Sequence, residues 1–270
     1  MTIPPATKRT TTAALAALVL FVLAACTDPS SPTDSEPANQ DASAPSPSPT
    51  PESKFAELIP DFPDPPDEPD VRHVPSDPAP IYYRVPTDDK VAFITIDDGW
   101  TLPPDALELV REAGVPATYF LLPPAVDQDP DAFQELVDAG ATVQTHTNSH
   151  RSMPDLSYKK QKREICTSAD RLGDTFGERP RLFRPPFGEF DDDTLKAASA
   201  CGMDAVLHWK EVVDGGEVAF QEGDTVQPGD MLLLHFRDDF VEDYLAALNA
   251  IADAGLTPAL LEDYIPPAPH

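Results

Sequence analysis

The chain is predicted to fold as an α/β domain: a parallel sheet whose strands are joined by crossover helices, either open or closed into a barrel. Three observations predict it. Across residues 81–270, short β-rich apolar runs alternate with segments of helical periodicity, the pattern of repeated βαβ units. An apolar content of 41% supplies one sizeable core even though mean hydropathy is -0.30. Proline, 33 residues against 12 glycines, is concentrated outside that span, with 15 of the 33 lying between residues 27 and 80. No period in the chain indicates a repeat array.

The elements follow in order. Val91-Ala92-Phe93-Ile94-Thr95-Ile96 reads as the first buried strand, and Pro103-Pro104 opens the helical spacing Ala106, Leu107, Leu109, Val110, Ala113, which Gly114 stops. Ala117 to Leu122 is the next strand, and Ala132, Phe133, Leu136 and Val137, closed by Gly140, the next helix. A strand from Thr142 to Thr145, a long helix from about Ser157 to Phe176 and a short strand from Arg181 to Phe183 continue the alternation. Then come a helix from Asp191 to Ala200, strands Met203 to Leu207 and Met231 to Leu234, a helix Val241 to Ala254 and a last strand near Thr257 to Leu261.

The N-terminal residues read differently. Lys8 and Arg9, the apolar run Ala13 to Leu23 and then Ala24-Ala25-Cys26 have the layout of a secretory signal, too short to span a bilayer as a helix. Leu23-Ala24-Ala25-Cys26 resembles the lipobox of bacterial lipoproteins, which implies acylation of Cys26 and attachment to the outer face of the cytoplasmic membrane. Residues 27–80 hold 12 acidic side chains against Lys54 and Arg72. So polar a stretch is expected to be a disordered, extended spacer, although Phe55, Leu58, Ile59 and Phe62 could pack on the domain and move its boundary earlier. The domain is then residues 81–270. A net charge of -28, of which the domain carries -20, excludes nucleic acid as a partner, because phosphate binding needs clustered Lys and Arg.

In such folds the chemistry gathers where strands end, so the polar residues there are the candidates. Asp97-Asp98-Gly99 follows the first strand; one carboxylate can bind a metal while the other stays free as a base, and Asp-Gly is equally the chemistry of a turn. His146-Thr147-Asn148-Ser149-His150 follows the third. Two imidazoles four apart on one face of a helical turn can reach a single ion, and with Asp98 they make a two-His-one-carboxylate set. Arg184-Pro185-Pro186-Phe187-Gly188 is a rigid turn whose Arg can hold a carboxylate bidentately. Leu232-Leu233-Leu234-His235 ends an apolar run on one titratable group, either a satisfied core-edge histidine or a general acid.

Taken together, Thr95 to Gly99, His146 to His150, Arg184 to Gly188 and Leu232 to His235 resemble, in order, the motifs of the polysaccharide deacetylases, the NodB-homology or carbohydrate esterase family 4 enzymes. The resemblance covers roughly residues 88–263 and implies a distorted (β/α) barrel that removes acetyl groups from N-acetylglucosamine-containing glycans; the alternatives are an ester or other amide deacetylase of the same fold, or a non-catalytic glycan-binding module. It implies a divalent ion, zinc, on Asp98, His146 and His150; Asp97 as base, paired with Arg184; and His235 as acid. The Phe187 backbone N–H would meet the oxyanion, Leu233 would line the acetate pocket, and Trp209 would line the sugar site.

Two departures stand out. The family's W-x-x-D-x-x-D-W segment is here His208 to Gly216: Trp209 matches, the closing Trp is absent, and Asp214 is one residue out of register. Asp214, or Glu211 in its place, is left as the expected partner of His235. Phe236 and Trp100 also replace usual family residues, changes expected to reshape the sugar groove. Cys166 and Cys201 are either a disulfide or two buried thiols. A monomer is expected.

Overall fold

The computed structural model describes residues 54–267. The expected signal at 1–26, Cys26, and the spacer up to residue 53 lie outside the described residues.

Among the described residues there are ten strands and seven helices: β1 (Ile81–Tyr82), β2 (Val91–Asp98), α1 (Ala106–Ala113), β3 (Ala117–Leu121), α2 (Pro123–Val126), α3 (Pro130–Asp138), β4 (Ala141–Thr145), α4 (Tyr158–Phe176), β5 (Leu182–Phe183), α5 (Asp192–Ala200), β6 (Ala205–Leu207), β7 (Glu211–Asp214), β8 (Glu217–Phe220), β9 (Met231–His235), α6 (Phe240–Asp253), β10 (Thr257–Pro258) and α7 (Leu261–Tyr264); the strands and helices expected from the sequence are all present, and β1, β7, β8, α2 and α7 are additional to them. The sheet runs β1-β6-β5-β4-β3-β2-β9-β7-β8, with β10 paired to the start of β2; every pairing is parallel except β7 with β8. Its two sides meet through one antiparallel bridge, Arg84 to Asp230, supported by the Val85 N–H donating to the Gly229 carbonyl at 2.8 Å. The result is a distorted (β/α) barrel, irregular where strands are as short as the two-residue β1 and β5.

The two-residue strand period sorts the core. On β2, Ala92, Ile94 and Ile96 face the layer packed with α1, α3 and α6, whereas Val91 and Phe93 face the barrel interior with Phe120, Leu207 and Met231. Both faces of β2 are therefore buried, which is why the strand reads as a continuous apolar run. Leu261 and Tyr264 of α7 belong to the same interior cluster, and the Tyr264 ring meets Phe93 edge-on at 5.3 Å. Helix ends follow local chemistry: Asp129 and Asp191 accept the Ala132 and Thr194 N–H groups, and α1 and α4 stop at left-handed Gly114 and Gly177. Cys166 of α4 and Cys201 after α5 form a disulfide, S–S 2.04 Å. No helix among the described residues is long and apolar enough to cross a membrane.

Three expectations change. The last strand is only Thr257–Pro258, and the apolar residues after it turn into α7. The segment read through Trp209 as one motif contains a hairpin, β7–β8, turned by Gly215-Gly216 at φ 62° and 74°. The spacer expected to reach residue 80 is packed on the domain from residue 54. Phe55 is buried in the main core, Ile59 and Phe62 pack against it, and the Pro63 carbonyl accepts the Thr257 hydroxyl at 2.6 Å. Three apolar side chains, Phe55, Ile59 and Phe62, anchor that strap whatever its proline content, while Leu58 stays exposed.

Candidate active site

The strand period that builds the core also delivers the site. Thr95 and Asp97 continue the inward face of β2 that begins with Val91 and Phe93, and Leu233 and His235 stand on the matching face of β9. Asp97 and His235 are register partners across that ladder. Asp98 then leaves strand geometry at φ 73°, ahead of Gly99 at φ 91°.

His146 follows β4. Its Nδ1 lies 2.8 Å from the Arg184 carbonyl, an acceptor only, so Nδ1 carries the hydrogen and Nε2 presents its lone pair to the site. Burial pushes this imidazole below its ordinary pKa, against the pull of Asp97 and Asp98, which favours the neutral form. His150 arrives differently from expectation: residues 146–150 form no helical turn but a loop in which Thr147 and His150 are left-handed, φ 78° and 52°, and the His150 N–H donates to Thr147 Oγ1 at 3.0 Å. His150 Nε2 lies 3.3 Å from Asp98 Oδ1 and His146 Nε2 3.6 Å from the same oxygen. Ligands around a tetrahedral zinc with bonds of about 2.0–2.1 Å stand about 3.3 Å apart, so the spacing suits such an ion. Asp98 Oδ1 is buried without a hydrogen-bond partner, and the three donor atoms lie within 4.8 Å of one another. A cation is what this donor set fits.

Arg184, fully buried, sits behind Asp97. Its Nη1 donates to Asp97 Oδ1 and Thr95 Oγ1, both at 2.8 Å, and Nη2 to the His208 carbonyl at 2.9 Å. The expected bidentate grip is therefore a one-nitrogen contact: Nη1 is shared between Asp97 and Thr95, Nη2 goes to the His208 carbonyl, and Nε is buried without a hydrogen-bond partner. Its guanidinium lies 4.3 Å from the Phe120 ring centre. Burial pulls its pKa down and Asp97 raises it.

The Pro185-Pro186 turn leaves Phe187 left-handed at φ 61°, largely exposed, with its ring edge-on to His150 at 4.7 Å. Gly188 is required twice over: its φ is 69°, and a Cβ there would collide with the His208 imidazole. That ring stacks on Trp209, centroids 4.1 Å apart, with Tyr83 on it at 4.4 Å.

A cavity of about 300 Å³ opens here, walled by Asp97, Asp98, His146, His150, Phe187, Trp209, Leu233, His235 and Arg237. Eight of these nine are sequence candidates, and Arg184 lies directly behind them. Asp214 is not where it was expected. It ends β7 at the exposed hairpin edge, and its Oδ1 accepts from Arg237 Nη1 at 2.7 Å. Glu211 is buried beside Asp230, so among the described residues no hydrogen bond joins either acid to His235. Phe236 turns away from the groove into the core against Tyr119, Phe133 and Phe240, while Trp100 is half exposed. Sequence reasoning missed Arg237 and the structural duties of Thr95 and His208. The signal for Arg237 was its parity: Leu233, His235 and Arg237 step by two.

Residues 84–206 match the family model described as polysaccharide deacetylase. The chain is 36% identical over 193 residues to an uncharacterized protein of Streptomyces coelicolor, covering 69% of this chain and 77% of that one. It is 28% identical over 181 residues to a peptidoglycan-N-acetylglucosamine deacetylase of Bacillus cereus, covering 63% and 84%. Its fold is similar to that of a mutant, with restored enzymatic activity, of a Bacillus anthracis pseudoenzyme of carbohydrate esterase family 4: TM-score 0.61 at 22% identity, covering 71% of this chain and 72% of the other.

Proposed function

This chain belongs to the polysaccharide deacetylase family, carbohydrate esterase family 4, and from that membership we propose that it is a zinc-dependent enzyme that hydrolyses the N-acetyl groups of an N-acetylglucosamine-containing glycan. One observation carries the reading: Asp97, held at 2.8 Å by buried Arg184, shares a cavity with His235 and with the convergent Asp98, His146 and His150.

A divalent ion held by those three residues would polarise the acetyl carbonyl and acidify water. Asp97 has Oδ1 fixed by Arg184, while Oδ2 lies 3.7 Å from His146 Nε2 on the metal side, where it accepts the proton of the attacking water. Phe187 lines the cavity with left-handed backbone, and its N–H would meet the oxygen that gains charge. As the C–N bond breaks, His235, the register partner of Asp97 on the neighbouring strand, supplies the proton that lets nitrogen leave as an amine; acetate is the other product. Leu233 packs beside the acetyl methyl, and Trp209 offers an aromatic face to the sugar ring.

Acetate release from tetra-N-acetylchitotetraose tests this. The Asp97→Asn protein should lose at least about 10²-fold in kcat; retained turnover would sink the reading.

We further propose that the protein is exported and held at the membrane through acylated Cys26. The lipobox-like residues support it, as does the Cys166–Cys201 disulfide, which belongs to an oxidising compartment. Labelled fatty acid should enter the wild-type protein and not the Cys26→Ala variant.

A further inference from the structure

Building on the deacetylase reading above, we propose that Arg237 and Asp214 form a clamp for the hydroxyls of a sugar ring at the cavity mouth, and that this clamp selects neutral glycans over carboxylate-bearing ones. Arg237 is the one permanently cationic side chain in the cavity wall among the described residues. Its Nη1 donates to Asp214 Oδ1 at 2.7 Å, and no other hydrogen bond to either side chain is present among the described residues. The pair thus offers unused N–H donors beside an unused carboxylate oxygen. Adjacent hydroxyls on a pyranose, each both donor and acceptor, match that array.

The pair is poorly suited to a purely structural role. With side chains 51% and 63% exposed, it adds little to folding. Yet it is held in place: the Gly216 N–H of the hairpin turn donates to Asp243 Oδ1 at 2.7 Å, and Asp243 is buried on α6. That anchor sets the end of β7, and with it Asp214, against Arg237.

Charge decides between hydroxyls and an anion. Asp214 cancels Arg237, Asp238 and Asp239 follow it directly and Glu242 comes one turn later, on a domain of net charge -20. A carboxylate arriving here meets a neutralised arginine inside a negative field, whereas hydroxyls pay no such penalty.

The test compares wild type, Arg237→Ala and Asp214→Ala on three substrates: tetra-N-acetylchitotetraose, a peptidoglycan tetrasaccharide bearing lactyl carboxylates, and 4-nitrophenyl acetate, which has the acyl group without a sugar. For Arg237→Ala, the ratio of kcat/KM on chitotetraose to that on the aryl acetate should fall by at least about fivefold, chiefly through KM. For Asp214→Ala, which frees the guanidinium charge, the ratio of carboxylate-bearing to neutral glycan should rise. Constancy of either ratio in a wild type that does turn over glycan overturns the clamp alone. Wild-type hydrolysis of the aryl acetate with no glycan turnover overturns the deacetylase reading and the clamp with it.

Discussion

Arg184 Nη1 stands 2.8 Å from Asp97 Oδ1, and neither side chain is more than 3% exposed. A buried ion pair leaves a large penalty when one partner goes, here on the residue read as the base. Arg184→Met should lower stability by about 3–5 kcal/mol and remove activity. Arg184→Lys should fold better but remain slow, because one ammonium cannot serve Asp97, Thr95 and the His208 carbonyl with a planar fork. Thermal melts read beside kcat check this; full activity in the lysine variant would contradict it.

The metal set should be separable from the fold. His150 is partly exposed on a loop, whereas His146 is buried and bonded to the Arg184 carbonyl. His150→Ala should therefore lose bound metal and activity with little change in melting temperature, and His146→Ala should lose metal, activity and some stability. Metal content by mass spectrometry, paired with melting curves, decides; stoichiometric tight metal in both variants would reject the site.

Glu211 gives a stability effect with a definite sign. Burial first, then Asp230, pushes its carboxyl up to about 9 from an unfolded value near 4.5. The folded state therefore holds a proton that the unfolded state releases, so this group's contribution is intact below about pH 4.5 and is lost as pH rises toward 9. Glu211→Gln keeps the shape without the ionisation. Its stability relative to wild type should improve steadily between pH 5 and pH 9 in urea titrations; parallel pH profiles would refute it.

The disulfide joins α4 to the residue that caps α5 across a sequence separation of 35. Replacing both cysteines by alanine should cost about 2–4 kcal/mol, most of it through a looser unfolded chain. Since both residues lie in a core cluster away from the cavity, kcat below the melting range should hold.

The strap sets where an independently folding domain begins. A chain starting at residue 81 lacks Phe55, the Thr257–Pro63 bond, and the Lys54 and Phe55 amides bound to Glu112. It should melt at least about 5 °C below one starting at residue 54, given about 1.5–3 kcal/mol for burying one such aromatic. Equal melting temperatures would restore the later boundary.

The sequence alone determined the α/β alternation, because strand and helix periodicities are local, and it marked Asp97, Asp98, His146, Arg184 and His235 as candidates, because each sits next to a strand end that hydropathy marks, with His150 following His146 in the same loop. Tertiary structure decided what no local pattern encodes. The two histidines converge through left-handed backbone rather than a helical turn. Asp214 meets Arg237 instead of His235 because the Gly215-Gly216 turn carries it to the hairpin edge. Phe236 belongs to the core, and an acidic, proline-rich strap is held by a few apolar side chains. In each case the partner is distant in the chain or the deciding contact is a single turn, and only folding brings such groups within a few ångströms.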